Sequence, residues 1–199
     1  MLAAGEGTQV STAWEWPTAE QLQQADVTIF YQHGDWNDQR ARDIDAYLKR
    51  GGGLVYIHWA VDGQQGGRDF ANRIGLAALG LVGFRHGEET LVFNRETNHP
   101  IIRNFDRLTL VDETYWKMAG SLATNRVLAT AVEDGAPQPQ MWAQESGKGR
   151  VFVSIPGHFS WTFDDPLFRV LLLRGIAWAA GEPVDRFNDL VLVGADVSR

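Results

Sequence analysis

The chain contains no cysteine. This absence excludes disulfide bonds, thiolate metal sites and a cysteine nucleophile. Basic residues are also scarce, since 18 lysines and arginines stand against 25 acidic residues and the formal net charge is -7. An acidic chain without a basic stripe is not expected to bind nucleic acid or an anionic membrane surface.

Long apolar runs and targeting signals are missing as well. No apolar segment is long enough to span a bilayer. Residues 1–6 lack the charged and apolar regions of a secretory signal, so we expect a cytoplasmic protein, although a leader removed upstream would leave no trace here. The 199 residues, 44% of them hydrophobic and 22% charged, fit one globular domain. We therefore predict a single domain over 1–199, with an atypical or truncated N-terminal region at 1–24.

Three apolar segments are each followed closely by a histidine. These pairs are residues 27–31 with His33, residues 54–57 with His58, and residues 151–155 with His158. In an open α/β sheet, ligands bind beyond the carboxyl ends of the strands, so we expect the three imidazoles to meet in one crevice. Imidazole binds zinc and similar metals and also transfers protons near neutral pH. A single histidine would more often be a packed or surface residue.

The arrangement of helices and strands predicts an α/β fold. Residues 37–50 have apolar residues at helical spacing, with Asp35 or Asn37 available to cap the start and Gly51 to end the helix. A second helix is predicted at 69–79, interrupted by Gly75. Apolar strands without alternation are typical of a parallel sheet covered on both faces.

The second half of the chain has a different pattern. Short strands separated by turns are predicted over residues 84–145, as a later part of the sheet with antiparallel additions. Residues 166–180 follow Asp165 and form an apolar segment that predicts a buried helix.

Acidic and aromatic side chains also follow the predicted strands. Asp112 and Glu113 are neighbours after an apolar strand, so one could face the histidines; a solvated turn or a helix cap is an equal alternative. Trp59, Tyr115 and Trp161 are candidate substrate-binding residues, because aromatic faces stack on sugar rings, although aromatic residues more often simply pack. The glycine-rich loop at 62–67 matches neither nucleotide-binding fingerprint, so no nucleotide cofactor is expected.

Several motifs, taken together and in this order, resemble the ThuA-like (trehalose utilisation) family. They are Gly51–His58, Asn98–Ile101, Asp112–Tyr115, Gly147–Phe152, Gly157–His158 and Trp178–Gly181. The resemblance covers about residues 25–183. It implies a three-layer flavodoxin-like fold of the class I glutamine amidotransferase type, with a mainly parallel sheet, helices on both faces and antiparallel additions. Amidotransferase chemistry itself is excluded, because the family's fold relatives use a cysteine and this chain has none.

The resemblance also implies a role in the catabolism of trehalose-like disaccharides and their keto forms. Family members usually carry a further strand and helix ahead of residue 25, and without them a sheet edge would be left open to a partner, so a homo-oligomer is compatible with the sequence.

We predict an enzyme, of sugar hydrolase or isomerase type, with His58, His158 and Glu113 as catalytic residues. His33, His58 and His158 are the candidate ligands of a divalent metal such as zinc. The expected partner is a small-molecule sugar, with neither nucleic acid nor membrane. A non-catalytic carbohydrate-binding or interaction module on the same fold is the main alternative, and a structural remnant is a third.

Overall fold

The computed structural model describes residues 1–32 and 34–196, and its centre is a seven-stranded sheet. The strands of this sheet are β1 (Val27–Phe30), β2 (Gly53–Ile57), β4 (Gly83–Phe93), β5 (Arg107–Trp116), β7 (Val127–Glu133), β8 (Ala136–Ser146) and β9 (Gly149–Ser154). A two-stranded sheet pairs β3 (Leu76–Ala77) with β6 (Ala119–Gly120). The helices are α1 (Ala19–Gln24), α2 (Asp38–Arg50), α3 (Gly67–Ile74) and α4 (Pro166–Ala179), with short 3₁₀ turns between elements.

The large sheet is mixed, with the strand order β1-β2-β9-β8-β7-β4-β5. Parallel pairing is confined to β1, β2 and β9, and the other neighbours are antiparallel. The predicted α/β class is confirmed, but a mainly parallel sheet was wrong for the described residues. The physical reason is connection length: the turns at 134–135 and 147–148 are too short for a crossover, so β7, β8 and β9 must pair antiparallel.

Helix α2 forms as its sequence predicts. Asn37 accepts hydrogen bonds through its side chain from the N–H groups of Gln39 and Arg40, both at 3.0 Å, and so caps the helix start. Gly51 ends the helix in the left-handed region, at φ 109°. The apolar positions at helical spacing are buried.

One local prediction was wrong. Helix α3 ends at Ile74 rather than near 79, because Gly75 adopts φ 97° and the chain enters β3 directly. Ahead of the sheet, Thr18 begins α1 with a capping box shared with Gln21.

Apolar side chains are buried on both faces of the large sheet. On one face, α4 contributes Phe168, Leu172 and Ile176 to a core that includes the β9 residue Phe152. On the other face, α2 and α3 cover a second core built on residues such as Leu54. No helix in the described ranges is long and apolar enough to cross a membrane. Because the two cores lie on the faces of the sheet, the carboxyl ends of β2 and β9 can carry polar side chains.

Candidate functional site

His58 lies at the carboxyl end of β2 and points into a buried polar cluster. Its backbone is in the left-handed region at φ 56°, which is uncommon for a residue with a side chain and is often found at functional sites. The ring is buried, and Nδ1 lies 3.1 Å from the carbonyl oxygen of Ile155. A carbonyl can only accept, so Nδ1 carries the proton and the lone pair of Nε2 faces the cluster.

His158 reaches the same cluster from the carboxyl end of β9. The chain turns at Gly157, whose φ is 137°, and a Cβ there would lie 2.7 Å from the side chain of Ile57. His158 Nδ1 then lies 2.9 Å from His58 Nε2. The predicted convergence of these two histidines is present in the structure, whose neighbouring parallel strands β2 and β9 place both at one edge of the sheet.

Glu113 joins the two histidines from β5. Its Oε2 lies 3.2 Å from His58 Nε2 and 2.9 Å from His158 Nδ1. Burial alone would raise the pKa of Glu113, but the contact with His58 and the charges that the neighbouring histidines carry when protonated outweigh it and lower that pKa. Glu113 is therefore an anion held between imidazoles.

His86 is a fourth member of the cluster that the sequence did not single out as a site residue. It stands directly opposite Glu113 on β4, and its Nε2 lies 3.1 Å from Glu113 Oε1. Half of its side chain is exposed. His86 could have been identified from the register of the β4–β5 hairpin, because this register pairs position 86 with position 113.

Tyr115 is also part of the cluster. Its hydroxyl lies 3.1 Å from His58 Nε2 and 3.3 Å from Glu113 Oε2, and the side chain is buried. Burial and the charge of Glu113 raise the pKa of Tyr115, so the phenol stays protonated and acts as a hydrogen-bond donor. Trp59 packs edge-on against the Tyr115 ring, with the centroids 5.7 Å apart.

Trp161 lies at the rim of the cluster. Its indole is 41% exposed, and its Nε1 donates to the carbonyl of Val111 at 3.0 Å, which fixes the ring. Phe159 stacks on Trp161 at 4.2 Å and contacts the His158 ring edge-on at 4.4 Å. An apolar surface thus extends from the histidines toward solvent.

The model of the ThuA family, described as trehalose utilisation, matches residues 1–179. The chain belongs to the ThuA family. A search of curated proteins gave no match.

Three solved structures are similar to this ThuA family member. A ThuA-like protein from Parabacteroides merdae is 26% identical, with a TM-score of 0.64 over 79% of this chain and 71% of that one. A ThuA-like protein from Bacteroides uniformis is 19% identical, with a TM-score of 0.60 over 80% and 72%. A cytoplasmic protein from Salmonella typhimurium is 18% identical, with a TM-score of 0.57 over 88% and 75%. At the two lower identities the likeness shows the fold alone.

The remaining histidines of this ThuA chain are His33 and His99. His33, which was a candidate metal ligand, lies outside the described residues. His99 lies elsewhere, with its ring 5.0 Å from that of Trp178 and its Nδ1 accepting from the N–H of Ile101 at 3.4 Å. His99 thus has a local structural role as the cap of a short 3₁₀ turn.

Among the residues that the structure describes, three side chains could hold a metal ion together. His58, Glu113 and His158 each offer one ligand atom, and these atoms lie within 4.8 Å of one another. Two neutral imidazoles and one carboxylate, with further coordination positions open, form the donor set of many catalytic zinc and non-haem iron sites. Chemically, the same groups can bind a divalent cation or exchange protons with a bound substrate.

Proposed function

We propose that this ThuA family member is an enzyme of carbohydrate catabolism that acts on a sugar or keto-sugar, such as a derivative of a trehalose-like disaccharide. In this proposal a divalent metal ion such as zinc is bound by His58 Nε2, Glu113 Oε2 and His158 Nδ1. The observation that carries it is the convergence of these three atoms from three strands, at separations of 2.9–3.2 Å.

The surroundings of His58 support a metal ligand over a simple hydrogen-bonding role. Metal-binding histidines usually donate their other ring N–H to a carbonyl or carboxylate, which fixes the tautomer. The contact between His58 Nδ1 and Ile155 provides this arrangement. When Nε2 of His58 is unprotonated, a cation bound between the three side chains would accept its lone pair and would also neutralise the charge of Glu113.

A bound divalent ion would polarise a carbonyl or hydroxyl oxygen of the substrate, or activate a water molecule. The residues of this chain have separate tasks around it. Tyr115 can donate a hydrogen bond to an oxygen near the centre, and His86 can carry a proton between Glu113 and solvent. His58, His158 and Glu113 are thus the proposed catalytic centre.

The aromatic rim supports a carbohydrate as the substrate. Trp161 and Phe159 present a rigid, partly exposed surface beside His158, where the apolar face of a sugar ring can stack. Trp59 and Tyr115 complete the substrate-binding group, although Tyr115 acts through its hydroxyl rather than its ring face. Trp59 packs edge-on against the Tyr115 ring and so supports its position.

We further propose that the fold is the three-layer, flavodoxin-like type of the class I glutamine amidotransferases. The position and backbone of His58 support this relationship, because the resemblance places the nucleophile of such enzymes on the turn after a glycine-preceded strand, and His58 follows β2, which begins at Gly53. Here an imidazole occupies that position. A cytoplasmic location, a single domain, a homo-oligomer and the absence of nucleotide, nucleic-acid and membrane partners stay predictions.

The metal is tested by elemental analysis of the purified protein after dialysis against zinc, manganese, cobalt or ferrous iron. We expect about one ion per chain in the wild type and its loss in His58→Ala and Glu113→Gln. His99→Gln and Glu88→Gln are matched controls, because they change the same residue types outside the three ligands and should retain the ion. Equal metal content in all five proteins would reject the site.

The activity is tested with trehalose-like disaccharides and their keto derivatives. Turnover by the wild type that is lost in His58→Ala and His158→Ala supports the enzyme. A carbohydrate-binding module predicts a different result: glycan binding that survives both substitutions, with no turnover of any sugar. The exposed Trp161 surface is the observation that would favour this second function.

A further inference from the structure

Asp112 lies next to Glu113 in β5 but accepts a different set of hydrogen bonds. Its side chain is 1% exposed, and neighbouring side chains on a strand point to opposite faces of the sheet. Oδ1 accepts from the N–H groups of Glu113 at 2.7 Å and His158 at 2.9 Å. Oδ2 accepts from the N–H of Gly157 at 3.2 Å and from the hydroxyl of Thr162.

These bonds join the backbones of two proposed metal ligands. Glu113 is in β5 and His158 follows β9, and these strands are not neighbours in the sheet. A single carboxylate oxygen binds the N–H of both residues. Because hydrogen bonds to an ionised buried carboxylate are strong, Asp112 holds the two residues at a fixed separation.

The same turn is connected to the third ligand. Ile155, at the start of this turn, accepts from His58 Nδ1, and the carbonyl of Gly157 accepts from the hydroxyl of Tyr31 at 2.9 Å. The turn at 155–158 therefore contains one of the three proposed ligands, His158, and contacts the other two, His58 and Glu113. Asp112 is the carboxylate that binds two of the N–H groups of this turn.

We propose that Asp112 is a positioning residue that sets the distance between the Glu113 carboxylate and the His158 imidazole. It acts through the backbone and not as a ligand, because both of its oxygens are occupied by protein donors. This inference rests on the proposed metal centre for its effect on ion binding, but the positioning itself is a property of the metal-free protein.

The substitution Asp112→Asn tests the geometry with little change of volume. An amide has one acceptor atom, so its oxygen can retain the Glu113 and His158 N–H groups while its NH₂ faces the N–H of Gly157. Two donors then oppose each other at 3.2 Å in the wild-type geometry, and the turn must move. We expect the Zn²⁺ affinity measured by calorimetry to fall about 10- to 100-fold.

Two variants separate positioning from loss of charge or of stability. Asp62 is a buried aspartate, and the same one of its two oxygens accepts from the N–H groups of both Gln64 and Gly80. Asp62→Asn can therefore keep both hydrogen bonds while it loses the charge. Thr162→Val removes only one partner of Asp112 and none of the bonds to the ligand backbones. Both should bind Zn²⁺ within threefold of the wild type.

Nuclear magnetic resonance of the metal-free proteins gives a readout that needs no ion. In Asp112→Asn, but not in Asp62→Asn, the imidazole ¹⁵N signals of His158 and the amide proton of Gly157 should shift. If the wild type binds no Zn²⁺, the metal proposal fails while these signals still decide the role of Asp112. The positioning role of Asp112 would be overturned by unchanged His158 signals in a folded Asp112→Asn protein. It would also be overturned if Asp62→Asn lost as much Zn²⁺ affinity as Asp112→Asn.

Discussion

His86 and Glu113 face each other across the β4–β5 hairpin, with His86 Nε2 3.1 Å from Glu113 Oε1. The other carboxylate oxygen, Oε2, faces His58 and His158. Glu113 thus contacts the imidazoles of His58 and His158 through one oxygen and the half-exposed imidazole of His86 through the other. This arrangement gives His86 access to both solvent and the centre without making it one of the three ligands.

Replacing His86 should separate metal binding from catalysis. We expect His86→Ala to retain the bound ion, because the three ligand atoms are untouched, but to lower kcat about 100- to 10,000-fold, as is typical for the loss of a proton-transfer group. Elemental analysis and steady-state kinetics on the same preparation would measure both. A variant that loses the metal would instead make His86 part of the ion site, and full activity would remove it from the mechanism.

Gly157 is expected to be essential for the position of His158. An added Cβ would have to coexist with Ile57 at 2.7 Å and Phe163 at 3.3 Å, at a φ that side chains rarely adopt. Gly157→Ala should therefore lower the unfolding free energy by about 1–3 kcal/mol and abolish ion binding. Chemical denaturation and calorimetry would measure the two effects.

Gly135 provides the control for this substitution. It also has a positive φ, of 76°, but nothing lies within 4 Å of its added Cβ. Gly135→Ala should cost about 1 kcal/mol and leave the ion in place. If both alanine variants bind the ion equally, crowding at Gly157 does not control the site.

The sequence was sufficient to predict the α/β class and most local elements, because their signals are local. Helix α2 shows this well: Asn37, the apolar spacing and Gly51 each act within a few residues of the chain. The strands β2 and β9 were predictable for the same reason, as were the histidines that follow them. Antiparallel pairing of β4, β5, β7 and β8 was underestimated, because polar residues extend these strands beyond their apolar parts.

The site was only partly predictable, because register and curvature are long-range properties. His86 and Glu113 meet only if the hairpin pairs position 86 with 113, and nothing local specifies this. The alternation rule correctly divided Asp112 from Glu113, but it could not say which acid would face the histidines. The burial of Tyr115 beside His58 likewise depends on the fold of the whole sheet.

His99 should stay neutral in mildly acidic solution. Burial lowers the pKa of His99 to about 4, with a further contribution from the charge of Arg150. An imidazole whose pKa is lower in the folded than in the unfolded state stabilises the fold less as the pH drops from about 6.5 toward 4, because the unfolded chain binds the proton first. A ¹H–¹⁵N titration of the imidazole signals would measure this directly, and a His99 midpoint near 6.5 would contradict it.

Glu89 is a buried carboxylate whose ionisation should limit stability at high pH. It is 3% exposed and lies on the same face of β4 as the core residues Leu91 and Phe93. Neither of its oxygens has a hydrogen-bond partner within the described residues. Burial, assisted by the charge of Asp112, raises its pKa to about 8. The folded state therefore holds a proton that the unfolded chain releases above about pH 4.5.

The contribution of Glu89 to the free energy of unfolding should consequently fall as the pH rises from about 4.5 to 8 and level off above that range. Glu89→Gln mimics the protonated acid, so it should match the wild type near pH 4.5 and exceed its unfolding free energy by about 2–5 kcal/mol above pH 8.

Glu133→Gln is a control with the opposite expected effect on stability. Burial would raise the pKa of Glu133, but the hydrogen bonds from Arg85 and Thr114 outweigh it and lower that pKa, so this substitution should destabilise the protein at neutral pH. Urea denaturation from pH 5 to 9 measures all three proteins, and a pH-independent difference between Glu89→Gln and the wild type would show that Glu89 does not titrate in this range.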